Sequence, residues 1–374
     1  MFDHPDYDGH EKVLMVEDAA SGLKAIIAVH STALGAAAGG CRLWSYDTGN
    51  AALVDALRLS RGMSYKNAMA DLPMGGGKAV ILGPVAAEKR TAVMQAFGRA
   101  VDSLNGQYIT AEDVGVSVSD MEIIAGQTKH VGGLAGGAGK SGGDPSPYTA
   151  RGVRVGIESA VKAKLGHTDL AGLKVAVQGL GHVGMYLCEE LFNLGASLVV
   201  ADINPARVSE AQMRFGAVGV SVDDILTQAV DVVAPCALGG AISEYVARYI
   251  KAGIVAGAAN NQLLTAEAGR ILGERGVLYA PDYVINAGGI IMVQGELSGD
   301  NDTAVVTAKV DAIGGRLDAI FARAARDNVI TNEVADTMAK DKLRVANQAK
   351  ARRTVATPAP FTGRGDREAV GGAG

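Results

Sequence analysis

Lys174-Val175-Ala176-Val177-Gln178-Gly179-Leu180-Gly181-His182-Val183-Gly184 is the stretch on which the fold is decided. It carries a G-x-G-x-x-G pattern, which is a weak signal in isolation. Here it follows an apolar run that reads as a strand, Lys174 to Gln178, and opens one that reads as a helix, His182 to Leu194. A second strand, Leu198 to Asp202, ends in a carboxylate about twenty residues past the glycines, and that setting makes the pattern a dinucleotide site. Gly179 permits the tight turn, Gly181 lets the backbone approach a pyrophosphate, and Gly184 allows close helix–strand packing. Leu180, His182 and Val183 complete the turn, whose helix N-terminus offers free N–H groups and a partial positive charge to an anion. Asp202 can accept hydrogen bonds from ribose hydroxyls and would repel a 2′-phosphate, which favours NAD over NADP; Arg207, close by, weighs the other way. The bland alternative, a glycine turn with no nucleotide, leaves the strand–helix–strand–carboxylate setting unexplained.

Outward from this stretch, short apolar runs at Asp231–Pro235, Ile254–Ala258 and Val277–Ala280 read as further strands. Alternation at this spacing predicts a parallel sheet covered by helices. A helix from Thr149 to Leu165, closed by Gly166, precedes the sheet, with Thr149 as its N-cap. Before it, residues 12–16 and 23–29 read as strands around the Ser21-Gly22 turn. Residues 51–67 and 89–104 read as helices, and Ala79–Leu82 and Tyr108–Thr110 as strands. Pro73 and Gly75-Gly76-Gly77 are expected to stop the first helix. Two helices, 302–326 and 331–352, close the chain.

The fold class expected is α/β with two domains: an N-terminal α/β catalytic and oligomerisation domain and a doubly wound Rossmann-type NAD domain, with a cleft between them. The first spans residues 1–145 and is completed by the C-terminal helix 327–352. The second spans 146–326, after a glycine-rich linker at Gly132–Pro147, and residues 353–374 read as a disordered tail.

The composition narrows the class. The chain has 374 residues, 48% hydrophobic and 20% charged, and its 50 glycines show no collagen period. A net charge of −5 with no basic stretch gives no reason to expect a nucleic acid or an anionic membrane as partner. No apolar run reaches the roughly 18–20 residues of a membrane span. The polar, acidic N-terminus resembles neither a secretory signal nor a transit peptide. Three widely spaced cysteines without a CxxC argue against a disulfide framework and a structural zinc site, so no metal is expected and the cytoplasm is the default location.

Two lysines stand out. Leu59, Met63 and Lys66 fall on one helix face, so Lys66 points where Met63 points. Lys78 follows three glycines, which leave room for a ligand, and starts an apolar strand. Lysines ordinarily lie on solvated surfaces. A desolvated lysine beside a second cation has a lowered pKa and can serve as a base or a polarising acid near neutral pH. Asp113, at a strand end before Val114-Gly115, could be a mere turn former. Beside the lysines it is the missing carboxylate for moving an amine proton. Asn260 follows the strand expected at Ile254–Ala258, at the edge where doubly wound sheets bind ligands.

The runs Gly39-Gly40-Cys41-Arg42, Met63-Ser64-Tyr65-Lys66-Asn67, Gly75-Gly76-Gly77-Lys78, Ala111-Glu112-Asp113-Val114-Gly115, Pro145-Ser146-Pro147, Gly257-Ala258-Ala259-Asn260-Asn261 and Asn286-Ala287-Gly288-Gly289 together resemble the leucine/phenylalanine/valine branch of the glutamate dehydrogenase superfamily, most nearly its leucine dehydrogenases. The resemblance covers roughly residues 10–350. It implies that Lys66 and the backbone at Gly39-Gly40 hold a substrate carboxylate, with Met63 beside them. Lys78 would activate the water that attacks an imine and then stabilise the carbinolamine. Asp113 would exchange protons with the amino group, and hydride would pass from Cα to the nicotinamide. Thr149 and Asn260 would position the nicotinamide end and the substrate amine.

The resemblance also places Ala38, Ala111, Ile290 and Val293 at the side-chain pocket. None is charged, so a glutamate substrate would bury its distal carboxylate unpaired. The expected reaction is NAD-dependent, reversible oxidative deamination of an apolar branched-chain L-amino acid (leucine, valine, isoleucine) by a homo-oligomer. Ala38, where a larger aliphatic residue is usual in leucine dehydrogenases, keeps phenylalanine open as the alternative. A non-catalytic NAD and amino-acid sensor is the rival of another class, and Lys66, Lys78 and Asp113 all speak against it. A hydroxy-acid dehydrogenase would be expected to use a histidine–carboxylate pair. The six histidines are scattered, and His182 reads as lying over the cofactor phosphates or facing solvent.

Overall fold

The structure, a computed structural model, describes residues 2–134 and 143–356. The N-terminal half is built from β1 (Lys12–Asp18), β2 (Leu23–Ser31), β3 (Ala37–Trp44), α1 (Gly49–Met69), β4 (Gly75–Leu82), α2 (Arg90–Asp102), β5 (Tyr108–Glu112) and α3 (Val118–Ala125). Its strands form one sheet in the order β1-β2-β4-β3-β5. The β1–β2 and β2–β4 pairs are antiparallel, and β3 runs parallel to both β4 and β5. The helices bury the two faces: α1 covers one with Ala52, Ala56 and Leu57, and α2 the other with Val93, Phe97 and Val101.

The second half begins with α4 (Ser146–Leu165), then β6 (Lys174–Gln178), α5 (His182–Asn193), β7 (Ser197–Ala201), α6 (Pro205–Phe215), β8 (Val218–Gly219), β9 (Val232–Pro235), α7 (Glu244–Tyr249), β10 (Ile254–Val255), α8 (Ala266–Glu274) and β11 (Leu278–Tyr279). These strands make a second sheet, β11-β10-β9-β6-β7-β8, parallel throughout. The order doubles back at β6, so the ends of β6 and β9 diverge into a crevice of the kind that binds ligands in open α/β sheets. The chain closes with α9 (Asp282–Ile285), α10 (Gly288–Ser298), α11 (Thr303–Asp311), α12 (Ile313–Asp327) and α13 (Thr331–Ala356). The protein is therefore α/β with two sheets, one of them of Rossmann type.

Several expectations change. Gly75-Gly76-Gly77 do not end the helix; α1 stops at Met69 and Asp71 turns the chain at φ 56°. The glycines lie inside β4, and they make room for protein rather than for a ligand. A Cβ on Gly76 would stand 2.1 Å from the Ser64 backbone nitrogen, and one on Gly77 2.6 Å from the Tyr108 ring. Helix α4 starts at Ser146, with Pro147 in its first turn, so Thr149 is not an N-cap. Its Oγ1 donates to Pro145 O at 3.1 Å. The strand expected over Ile254–Ala258 is only Ile254–Val255. Residues 302–326 form two helices, not one. Helix α13 runs to Ala356, four residues into the expected tail; the rest of that tail and half of the expected linker lie outside the described residues.

Candidate active site

Strands β3, β4 and β5 lie side by side and parallel, so their residues meet at one edge of the first sheet. Lys78 sits inside β4, between apolar neighbours, and is 6% exposed. Asp113 is the first residue past β5. Gly40 of β3 lets it close in, because a Cβ there would lie 2.9 Å from that of Asp113. Lys78 Nζ donates to Asp113 Oδ2 in a close ion pair. A nearly buried ammonium needs such a partner, since an isolated charge in the interior costs several kcal/mol or more. On β3, the Gly39 carbonyl accepts from the buried Tyr108 hydroxyl at 2.5 Å, which fixes the glycine pair.

Lys66 lies near the end of α1, three residues after Met63 and on the same face. Its Nζ donates to Asn260 Oδ1 at 3.1 Å, a bond between the two halves of the chain. Asn286 Nδ2 donates to the same oxygen at 2.7 Å and to Ala258 O at 3.0 Å, so the Asn260 side chain is held from both sides. Burial pushes the Lys66 pKa down to about 8; Asp282 opposes the fall and the Lys78 charge adds to it. Burial would raise the Asp113 pKa, but the charges of Lys78 and Arg42 outweigh it and keep the carboxyl below its ordinary value. Glu112 goes the other way: burial, then the Asp144 and Asp113 charges, raise its pKa.

These residues line one cleft of about 680 Å³. The cleft gathers Ala38, Gly39, Gly40, Met63, Lys66, Lys78, Ala111 and Asp113 from the first half with Thr149, Val183, Asn260, Ile290 and Val293 from the second. Every residue expected at a substrate is therefore in one place. Reading the sequence by motif passed over Asn286 and Arg42, although both stand inside motif runs quoted above. Asn286 was legible as a buried amide only once the α9–α10 corner was known. Glu112 also lines the cleft; an alternating strand would have turned it away from Asp113, but β5 ends at Glu112, so alternation does not carry on past it.

The glycine turn lies at the ends of β6 and β7. Gly179 takes φ 91°, and a Cβ on Gly184 would stand 2.0 Å from the Gly179 carbonyl oxygen, so both must be glycine. A Cβ on Gly181 would meet nothing within 4 Å, and Gly181 caps α5 without a side-chain bond. The α5 N-terminus thus has no side-chain cap and open space beside Gly181, which leaves room for an approaching pyrophosphate. Asp202 accepts from Leu180 N at 2.6 Å and Asn204 N at 2.7 Å. Each oxygen retains a second lone pair, so the carboxylate can brace the turn and still accept from a ribose. The residues present fit a dinucleotide. His182 is 80% exposed, and its Nδ1 is 3.9 Å from Asp144 Oδ2. Leu180, Gly181 and His182 border a separate groove between α5 and α6 that also contains Arg207.

With the geometry in place, known proteins resemble the chain along most of its length. Residues 10–130 match the Glu/Leu/Phe/Val dehydrogenase dimerisation domain, and residues 204–363 match the Glutamate/Leucine/Phenylalanine/Valine dehydrogenase model. Leucine dehydrogenase of Geobacillus stearothermophilus is 47% identical over 350 residues, 94% of this chain and 95% of that one. Valine dehydrogenase of Streptomyces virginiae is 45% identical over 91% of this chain and 95% of its own. The crystal structure of L-tryptophan dehydrogenase from Nostoc punctiforme superposes with a TM-score of 0.80 at 43% identity, covering 91% of this chain and 97% of that one.

Proposed function

We propose that this chain, which belongs to the Glu/Leu/Phe/Val dehydrogenase family and is an amino acid dehydrogenase using a nicotinamide cofactor, deaminates branched-chain L-amino acids with NAD. The observation that carries the reading is the convergence of Lys66, Lys78, Asp113 and Asn260 on one cleft that also gathers the four uncharged residues expected around the substrate side chain, Ala38, Ala111, Ile290 and Val293. Lys66 and the Gly39-Gly40 backbone hold the substrate carboxylate. NAD held at the glycine turn would supply the acceptor for the hydride that leaves Cα. Asp113 takes the amine proton, and Asn260 orients the amine while Thr149 supports the nicotinamide end. Lys78 activates the water that attacks the imine carbon and steadies the carbinolamine that follows. Closing the halves on each other aligns the reacting carbons and excludes water.

Asp202 supports NAD rather than NADP, because its charge sits at the ribose edge of the glycine turn. The match to a dimerisation domain supports a homo-oligomer. The return of α13 onto α1, with Lys342 Nζ donating to Ala68 O at 3.2 Å, supports a substrate-binding domain of residues 1–145 completed by 327–352, with 146–326 holding the nucleotide. No described helix is long and apolar enough to cross a membrane, and the reading places the enzyme in the cytoplasm.

The small Ala38 favours a second reading, an aromatic substrate in a widened pocket. A methylene in such a pocket is worth about 1–3 kcal/mol, so specificities overlap and must be measured as ratios. A scan of kcat/KM with NAD over leucine, valine, norleucine and phenylalanine decides. Leucine or valine should lead phenylalanine by about tenfold or more. A higher value for phenylalanine overturns the branched-chain assignment and leaves the amino acid dehydrogenase in place.

A further inference from the structure

Lys78 is asked to do two things at once. It is the ion-pair partner of Asp113, and it must turn to the substrate to activate a water. When it turns, Asp113 loses its nearest cation inside a partly buried site. A second cation stands ready on β3. Arg42 Nε is 3.4 Å from Asp113 Oδ2, the oxygen that Lys78 holds. That Nε–H is buried and has no hydrogen-bond acceptor in good geometry. Leaving a buried donor unmet costs about 1–3 kcal/mol, so its retention beside a reacting carboxylate calls for a reason. The far end of the guanidinium is fixed: Nη1 donates to Asp55 Oδ2 at 3.0 Å, and the Tyr46 hydroxyl donates to that same oxygen at 2.6 Å. Asp55 belongs to α1, the helix that carries Met63 and Lys66.

We infer that Arg42 is a positioning residue for the amine-proton step: its Nε–H takes Asp113 when Lys78 leaves for the substrate, and Asp55 and Tyr46 hold the guanidinium in readiness. Asp113 then stays ionised and oriented, with Oδ1 left for the amine. The inference rests on the reading of Asp113 as the group that exchanges the amine proton. The other titratable groups that act on Asp113 are Lys66 of α1, Cys41 of β3, Glu112 and Tyr108 of β5, and Tyr46. Lys66 adds a positive charge, but on the proposed reading it is engaged by the substrate carboxylate. Glu112 adds a negative one. Neither replaces Arg42.

The test is the pH dependence of kcat for the full-length enzyme with its best amino acid and NAD. Arg42→Met should lower kcat at least tenfold, change the amino-acid KM less than threefold, and move the acid-side fall in kcat to higher pH. Arg42→Lys should restore part of the rate and return the fall towards its original place. Tyr46→Phe, which loosens the Asp55 end of the clamp without changing a charge, should shift it in the same direction by less, and it serves as the readout if Arg42→Met does not fold. An unmoved pH profile in these variants, or equal losses in kcat and KM without a shift, overturns the inference and leaves Arg42 a packing residue. Asp113→Asn is the control that separates the two ideas. If it retains turnover, the reading of Asp113 fails. If it is inactive while the Arg42 series keeps its profile, only the role of Arg42 fails.

Discussion

Lys66 shows how little a residue's charge can be judged from its type. Its ammonium sits between α1 and Asn260, where burial and the Lys78 charge bring its pKa to about 8. Above that pH the free enzyme carries a neutral lysine, and a bound carboxylate must first recharge it. The sign follows: below pH 8 a carboxylate meets a charged partner, and above it the affinity falls by up to tenfold per pH unit. A simple aliphatic acid such as 4-methylpentanoate, with no titrating group in this range, reports it as a competitive inhibitor. Its Ki should be flat to about pH 8 and then climb, and Lys66→Arg should keep it flat to higher pH. A charge-assisted hydrogen bond contributes about 1.5–3 kcal/mol, so Lys66→Ala should weaken the inhibitor roughly tenfold to a hundredfold. A wild-type Ki that is flat to pH 9.5 contradicts this placing of Lys66.

The elements explain which parts of the fold could be read in advance. The parallel sheet was legible because Lys174–Gln178 and Leu198–Asp202 are apolar, short and punctuated by glycine. Strand β3 was not: Ala37-Ala38-Gly39-Gly40 has no alternation and no β-branched residue, and its strand character comes from lying between β4 and β5. The β4 glycines misled for a related reason. Glycine reads as punctuation, yet at 76 and 77 it is demanded by the close approach of α1 and Tyr108 to the sheet. The residues of the candidate site were legible as motifs, because functional side chains keep their types. The ion pair of Lys78 with Asp113, and the second cation behind it, needed three strands to be placed side by side. Gly76→Ala tests the packing argument. Its Cβ would press the Ser64 backbone, and overpacking of this kind costs typically 1–3 kcal/mol. The urea midpoint should fall accordingly at an unchanged m value. An unchanged midpoint would mean that α1 can retreat from β4 freely.

At the scale of the whole molecule, the two halves must be joined firmly enough to fold and loosely enough to close on a substrate. Helix α13 crosses from the second half to α1, and two kinds of interaction could hold it. Asp71 pairs with Arg316 and Lys342, but its side chain is 58% exposed, and such pairs are worth about 0–1 kcal/mol. The stripe Ala335, Ala339 and Leu343 repeats every four residues and is buried in the core that also contains Tyr65 and Ala68. Burial is the larger effect. Asp71→Asn, which removes the charge and suits the left-handed backbone there, should shift the thermal midpoint by no more than a few degrees, whereas Ala335→Asp, which buries an unpaired carboxylate, should destabilise by about 3 kcal/mol or more. A larger loss from Asp71→Asn than from Ala335→Asp would reverse this ranking. The Lys66–Asn260 bond spans the same two halves inside the cleft, so closure and carboxylate binding share a residue.

Deamination in this cleft depends on Lys78 working at the imine carbon with Asp113 as its partner, and replacing that one side chain is the decisive test. Single-turnover and steady-state rates of NADH formation should be compared for the wild type and Lys78→Ala, with folding and NADH binding checked by circular dichroism and fluorescence. General acid–base groups typically contribute about 10²–10⁴-fold, so kcat should fall by about a thousandfold while NADH still binds. A folded Lys78→Ala enzyme that turns over within a few-fold of the wild-type rate would remove Lys78 from the chemistry.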